Sequence, residues 1–530
     1  MAEKQGWRQR RSRRTTLLLA FAALAMERAD AALLPAVYRE IGTALQASPT
    51  ALGSIALSRS VVQTACYPLA AYLAARHDRV TVIALGAFVW AVATFLIGFS
   101  TTFPQVRRVH GAWAAWLPAY LATSFLFASI LPPPKLRCLG GVQMAVTAAL
   151  NGVGLALQIP AIYAFVADSV DGASRGMAFG WLAVAGKAGT VAGTSLGLLM
   201  APTSFLGLPG WRLAFLLLGV LGGAVGVSIR AFAASDGAAR GRVVVSPATA
   251  KPVRQEVQEF VREAKAVMRI PSFQVIIAQG LTGSFPWSAL LFTAMWLELV
   301  GFSHGETAAL MTLFKVATSL GALFGGKMGD VLARRFKNSG RIVLSQISSA
   351  SAIPLSGILL LALPNDPSST LKHGAALFIL GIMASWNGTA TNSPILAEIV
   401  PPRAMTTVFA LDRTFEAVLA SFAPPVVGLL AERLYGYKLA RSASGGGVDE
   451  RTAIDFQMER HNATSLARAI YTSIAIPMAM CCAIYSFLYC TYPRDREMAR
   501  AEAARNRGDY GDEGFGSEDE DNGERKLLPQ

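Results

Sequence analysis

Twelve stretches of about twenty apolar residues recur along this chain, and no other feature restricts its fold so severely. A bilayer core is crossed by about 20 apolar helical residues. Runs at 16–38, 50–73, 80–101, 144–167, 177–201 and 212–232 qualify in the first part of the chain. Runs at 273–300, 306–328, 341–363, 373–397, 404–431 and 466–492 qualify in the second. Only 15% of the 530 residues are charged against 53% hydrophobic, where a soluble domain carries about 25% charge. The expected fold is all-α and integral to the membrane: twelve transmembrane helices in two six-helix halves.

The net charge of +14 would suit nucleic acid if it lay on one face. It lies between apolar runs instead, as the positive-inside rule requires, so no nucleic-acid partner is expected. Lys4, Arg8, Arg10, Arg11, Arg13 and Arg14 precede the first run, and that run continues through Glu27, Arg28 and Asp30 without a small-residue cleavage site. It reads as a retained first span. Basic loops alternate from there, which places both termini in the cytosol of a multi-pass protein. The expected units are a basic N-terminus (1–15), a first half (16–232), a cytosolic linker (233–271), a second half (272–492) and a charged, compositionally disordered tail (493–530). In the linker, Val257, Phe260, Val261, Ala264, Val267 and Met268 recur at helical spacing; a surface amphipathic helix and a solvated linker both fit. The outer loop 433–465 carries the sequon Asn462-Ala463-Thr464, a glycosylation candidate.

Residues 106–143 break the parity. They contain an extra apolar run, 111–134, whose crossing would invert every later loop. The segment starts at Val106-Arg107 and ends at Val142-Gln143. Those pairs can be encoded by GTGAGG and GTGCAG, which look like a splice donor and acceptor. A translated intron and a membrane-surface hairpin are the two readings, and no function is assigned to the segment. Transcript reads across the junction separate them.

The two halves resemble each other. Residues 33–79 and 290–335 both read as the end of a span, a short loop, a second span and a basic turn, with Arg59 and Lys315 within one residue of equivalence. Parallel repeats of this kind mark a transporter class. Gly326-x-x-Gly329-Asp330-x-x-x-Arg334-Arg335 resembles the loop signature of the major facilitator superfamily. Its first-half copy is degenerate, with Ala71, Ala74 and Ala75 in place of Gly, Gly and Asp, leaving Arg76 and Arg79. The resemblance implies a conformational latch made by Asp330, Arg334 and Arg335, with Arg76 and Arg79 opposite. Asn151-Gly152-Val153-Gly154 with Pro160 resembles the fourth-span motif, with Ala148 where an Arg often stands. Gly210-Trp211-Arg212 and Arg175-Gly176 resemble further entry motifs. Within the superfamily, Met26-Glu27-Arg28 and Leu33-Leu34-Pro35 resemble the spinster-like group. That resemblance implies lysolipids or related amphiphiles as substrates.

Ionisable groups inside a membrane cost about 2.5–3.5 kcal/mol each on insertion scales, so each needs a reason. Span one holds Glu27, Arg28 and Asp30, and span two adds Arg59 and Gln63. Span eleven holds Asp412, Arg413 and Glu416. A desolvated carboxylate beside an Arg can couple protonation to movement, so protons are the candidate coupling ion. A permanent structural pair is the competing reading. Asn151, Gln158, Trp287, Trp386, Asn387 and Asn392 are expected around a central cavity. Lys187 is read as snorkelling toward the interface. Five histidines are scattered and five cysteines have no ligand spacing, so no metal site is expected. With no Walker A, G-x-S-x-G or H-E-x-x-H motif, no enzymatic chemistry or cofactor is expected. The sequence therefore points to a secondary or facilitative transporter of a small organic solute or lysolipid. A transporter-like receptor that binds without translocating is the alternative.

Overall fold

A computed structural model describes residues 2–76, 78–99, 139–169, 175–232, 258, 261–262, 264–400, 405–439 and 448–512. The extra segment 106–143 lies almost wholly outside the described residues, as do most of the linker and the end of the tail.

The described chain is a helical bundle with one two-stranded turn. The first half comprises α1 (Ala2–Ala36), α2 (Tyr38–Leu45), α3 (Pro49–Arg76), α4 (Arg79–Gly98), α5 (Leu139–Ser169), α6 (Arg175–Met200) and α7 (Gly210–Phe232). A hairpin of Ser204–Phe205 and Leu208–Pro209 joins α6 to α7. The second half comprises α8 (Pro271–Ala289), α9 (Thr293–Val300), α10 (His304–Arg335), α11 (Gly340–Gly357), α12 (Thr370–Ala384), α13 (Ser393–Ile399), α14 (Met405–Leu429) and α15 (Val448–Tyr485). A last helix, α16 (Leu488–Asp512), enters the tail. Among the described residues, nine helical stretches are long and apolar enough to cross a bilayer.

Several second-half rods are interrupted where a proline removes a backbone donor. Pro286 precedes a tight turn at Leu290–Phe292 that leads into α9. A wider turn at Gly388–Asn392 separates α12 from α13, just before Pro394.

Leu85, Val92, Leu96, Val220, Leu221 and Leu323 are exposed on the bundle's flanks. A soluble monomer would bury such a belt; a lipid-facing protein displays it. Inside, small residues let backbones meet. A methyl group on Gly189 or Gly193 of α6 would collide with the carbonyls of Ala25 or Ala29, so these glycines seat α6 on α1 and hold the charged turn of α1 in place.

We call the end where α1 begins proximal and the end where α1 runs into α2 distal. At the distal end the halves share one apolar cluster, including Tyr38 and Ile41 from the first and Phe292, Trp296 and Leu310 from the second. The Tyr38 and Phe292 rings lie 5.1 Å apart. Helices α3 and α14 cross there at backbone contact: a methyl on Gly53 would fall 2.5 Å from the Pro424 carbonyl carbon and the Pro425 nitrogen.

The loop expected at 433–465 is helical from Val448 onward. Asn462 therefore sits in α15, only 5% exposed. Its amide accepts from Lys438 N–H at 2.9 Å and donates to the Lys438 carbonyl at 2.8 Å. Both ends of that amide are engaged and buried, so Asn462 is a packing residue and not the accessible acceptor the sequon suggests.

Candidate functional site

Helix α1 carries two carboxylates with different surroundings. Asp30 is 2% exposed and saturated. It accepts from Thr94 Oγ1 on α4 at 2.6 Å and from Asn151 Nδ2 on α5 at 2.8 Å, with Arg59 Nη1 of α3 at 3.8 Å. Asn151 also donates to Thr94 at 2.9 Å. Four helices thus converge on Asp30, as a buried charge requires.

Glu27, one turn earlier, is 1% exposed. Arg28 Nε approaches its Oε2 at 3.1 Å in an ion pair, but without the alignment of a hydrogen bond. The Arg28 side chain is 41% exposed and hydrogen-bonds with Tyr163 of α5. Gly186 of α6 lies against its aliphatic stem. Glu27 is therefore a buried carboxylate facing a partly exposed cation.

Further positive charge lies nearby. Lys187 on α6 lies near Arg28, and Lys315 on α10 is close enough to Lys187 for the two to repel across the junction of the halves. Among the described residues, neither lysine has a carboxylate partner; Lys315 lies over the Phe314 ring at 5.7 Å. Lys187, expected to snorkel, is exposed on α6, the helix that packs on α1. Trp287 of α8, 37% exposed, lies 6.4 Å from the Phe314 ring. Gln63 donates to Tyr67 on its own helix at 3.2 Å.

Other cavity expectations go elsewhere. Gln158 is fully buried and accepts from Trp90 Nε1 at 2.7 Å. Trp386 is 5% exposed, packed on Phe324 and on Gly325. Asn387 donates to Ser349 at 2.9 Å, and Asn392 accepts from Tyr485 at 2.9 Å. These are packing and inter-helix bonds. On α14, Asp412 is buried and Glu416 lies against Gly280 of α8; the Arg413 side chain is outside the described residues. In the loop signature, Asp330 pairs with Arg341 of α11 at 2.8 Å, and Arg341 also reaches the Ala390 carbonyl. Arg334 and Arg335 are exposed. The Arg76 side chain lies outside the described residues, and Arg79 opens α4.

A second polar cluster, not anticipated from sequence, sits in the distal seam. Gly301, at φ +111°, ends α9, and Ser303 then opens α10 with a reciprocal cap to Glu306. This turn lays His304 Nδ1 2.7 Å from Glu298 Oε1 and 3.8 Å from Glu40 Oε1 of α2. Burial and the charge of Glu298 push the Glu40 carboxyl up to about 7. Arg39 turns away, donating to the Glu298 carbonyl at 3.1 Å and to the Glu459 carboxylate. Nearby, Glu432 of the second half accepts from Thr50 N–H in the first turn of α3 at 2.7 Å, capping a helix of the other half.

A bundle of two repeated halves around a charged junction, sealed at one end, invites comparison with known proteins. Residues 16–424 match the model of the Major Facilitator Superfamily. The chain belongs to this superfamily. It is a multi-pass membrane transporter and not an enzyme. It shares the fold of a bacterial homologue of the human lysosomal transporter Spinster, in an inward-facing and occupied conformation, with a TM-score of 0.69 at 16% identity over 91% of this chain and 97% of that one. A D-xylose–proton symporter superposes with a TM-score of 0.57 at 13% identity over 87% and 97%. An MFS-type efflux pump of Mycolicibacterium smegmatis is 26% identical over 56% of this chain, and the match spans 64% of that pump's length.

Proposed function

We propose that the chain is an alternating-access carrier for small organic solutes bearing an anionic group, with Glu27 as the proton-carrying residue and Arg28 as its switchable partner. The observation that carries this reading is the imbalance at the junction: Arg28 pairs with Glu27, while Lys187 near Arg28 and Lys315 near Lys187 have no carboxylate partner among the described residues. An anionic substrate group entering there relieves the repulsion and competes with Glu27 for Arg28. Once released, the buried carboxylate of Glu27 is stabilised by taking a proton. Substrate and proton then move together when the halves rock. The D-xylose–proton symporter that shares this fold is itself proton-coupled, and a coupled proton here is in keeping with it. With a cytosolic N-terminus, the sealed distal end corresponds to an inward-open state.

The exposed Trp287 near the junction favours a substrate with an apolar part, so a lysolipid or similar amphiphile is the substrate class we favour. Purified protein in liposomes tests this with labelled amphiphilic and polar anions at two external pH values. Saturable flux that rises with an inward proton gradient is expected. Saturable binding without flux would instead identify a receptor.

A further inference from the structure

We infer that Glu40, Glu298 and His304 form a binding site for a zinc-type dication that fastens the two halves at the distal end. The three side chains come from separate elements: α2 of the first half, α9 and the first turn of α10 of the second. Their donor atoms lie within 4.8 Å of one another. A tetrahedral zinc with bonds of about 2.0–2.1 Å sets its ligand atoms about 3.3 Å apart. The separations here are 2.7 Å for His304 to Glu298 and 3.8 Å for His304 to Glu40, bracketing that edge. The Glu40 to Glu298 edge lies within 4.8 Å, so closing the three donors on one ion takes side-chain shifts of up to about 1.5 Å.

A second observation points to a ligand. Glu298 is 1% exposed, and its Oε2 has no partner; Glu40 Oε2 is also buried and unpartnered. A buried carboxylate oxygen left without a donor is costly. The nearest fixed cation does not serve these atoms, because Arg39 is spent on the Glu298 carbonyl and on Glu459. Two carboxylates and a neutral imidazole balance a dication. One nitrogen and two oxygens suit zinc better than calcium or magnesium, which favour all-oxygen shells.

The ligands meet only while the distal ends touch. An ion there must therefore favour the distal-closed state, about 100-fold at 100 times its dissociation constant. Binding stands independently of the transport reading; the conformational bias rests on it.

The test uses the full chain in nanodiscs, titrated with zinc chloride by calorimetry, with magnesium and calcium as controls. One zinc per chain is expected, with no measurable binding of the controls. Glu40→Gln and His304→Asn should each weaken zinc binding at least tenfold, and Glu459→Gln should leave it intact. Should Glu40→Gln fail to fold, the partly exposed His304 position still decides. In parallel, spin labels on exposed Ala44 and Leu371 should shift to their shorter distance with zinc and revert with chelator. Absence of zinc binding, or binding that survives both ligand substitutions, overturns the site. Ligand-dependent binding that leaves the distance distribution unchanged overturns the fastening role alone.

Discussion

Glu27 and Asp30 are two carboxylates three residues apart on one helix, yet the bundle treats them differently. Asp30 meets donors from α3, α4 and α5, and its charge is permanently accommodated. Glu27 has one close cation, and that cation is half in open space. On the proposed reading the contrast separates a structural charge from a working one: the first is held by donors from three other helices, the second by one partly exposed cation.

The largest effect expected from breaking the comparison is on stability. Asp30→Ala leaves Arg59, Thr94 and Asn151 without their acceptor and should cost about 3–5 kcal/mol, read as chemical unfolding in detergent. Glu27→Gln should change stability by less than about 1 kcal/mol. Equal losses would mean both carboxylates are structural. Next comes the seam that holds the distal end shut. Gly53→Val puts side-chain atoms into Pro424 and should weaken the closed state by about 1–3 kcal/mol. The Ala44–Leu371 spin-label distance should lengthen. Lys315→Gln should then lower affinity for an anionic substrate about tenfold, or about 1.4 kcal/mol, and leave an uncharged analogue unaffected in competition assays. The smallest effect sharpens the boundary of the site. Gln158→Leu removes the Trp90 bond and should cost about 1 kcal/mol of stability with unchanged substrate affinity.

Much of the architecture is legible in the sequence, because each apolar run records its need for lipid locally. So is the importance of α1, since three charges inside one apolar run demand compensation. What separates Glu27 from Asp30 is not legible there. Asp30's donors, Thr94 and Asn151, come from other spans, and Thr94 is one unremarkable hydroxyl in an apolar helix. Gln158 looks like a cavity residue until the rotation of α5 turns it toward Trp90. The distal trio escapes for a similar reason. Glu40 and His304 lie 264 positions apart in sequence, and only the docking of α2 against the α9–α10 turn unites them. Asn462 fails in the opposite direction, since a local motif says nothing of the helix that buries it.

The central claim is that Glu27 couples a proton to substrate movement while Asp30 merely holds the helix. Proteoliposomes containing Glu27→Gln test it most directly by comparing substrate exchange at equal pH with uptake against a concentration gradient driven by a pH step. We predict that exchange persists and that proton-driven accumulation disappears. Accumulation at the unsubstituted rate would contradict the account.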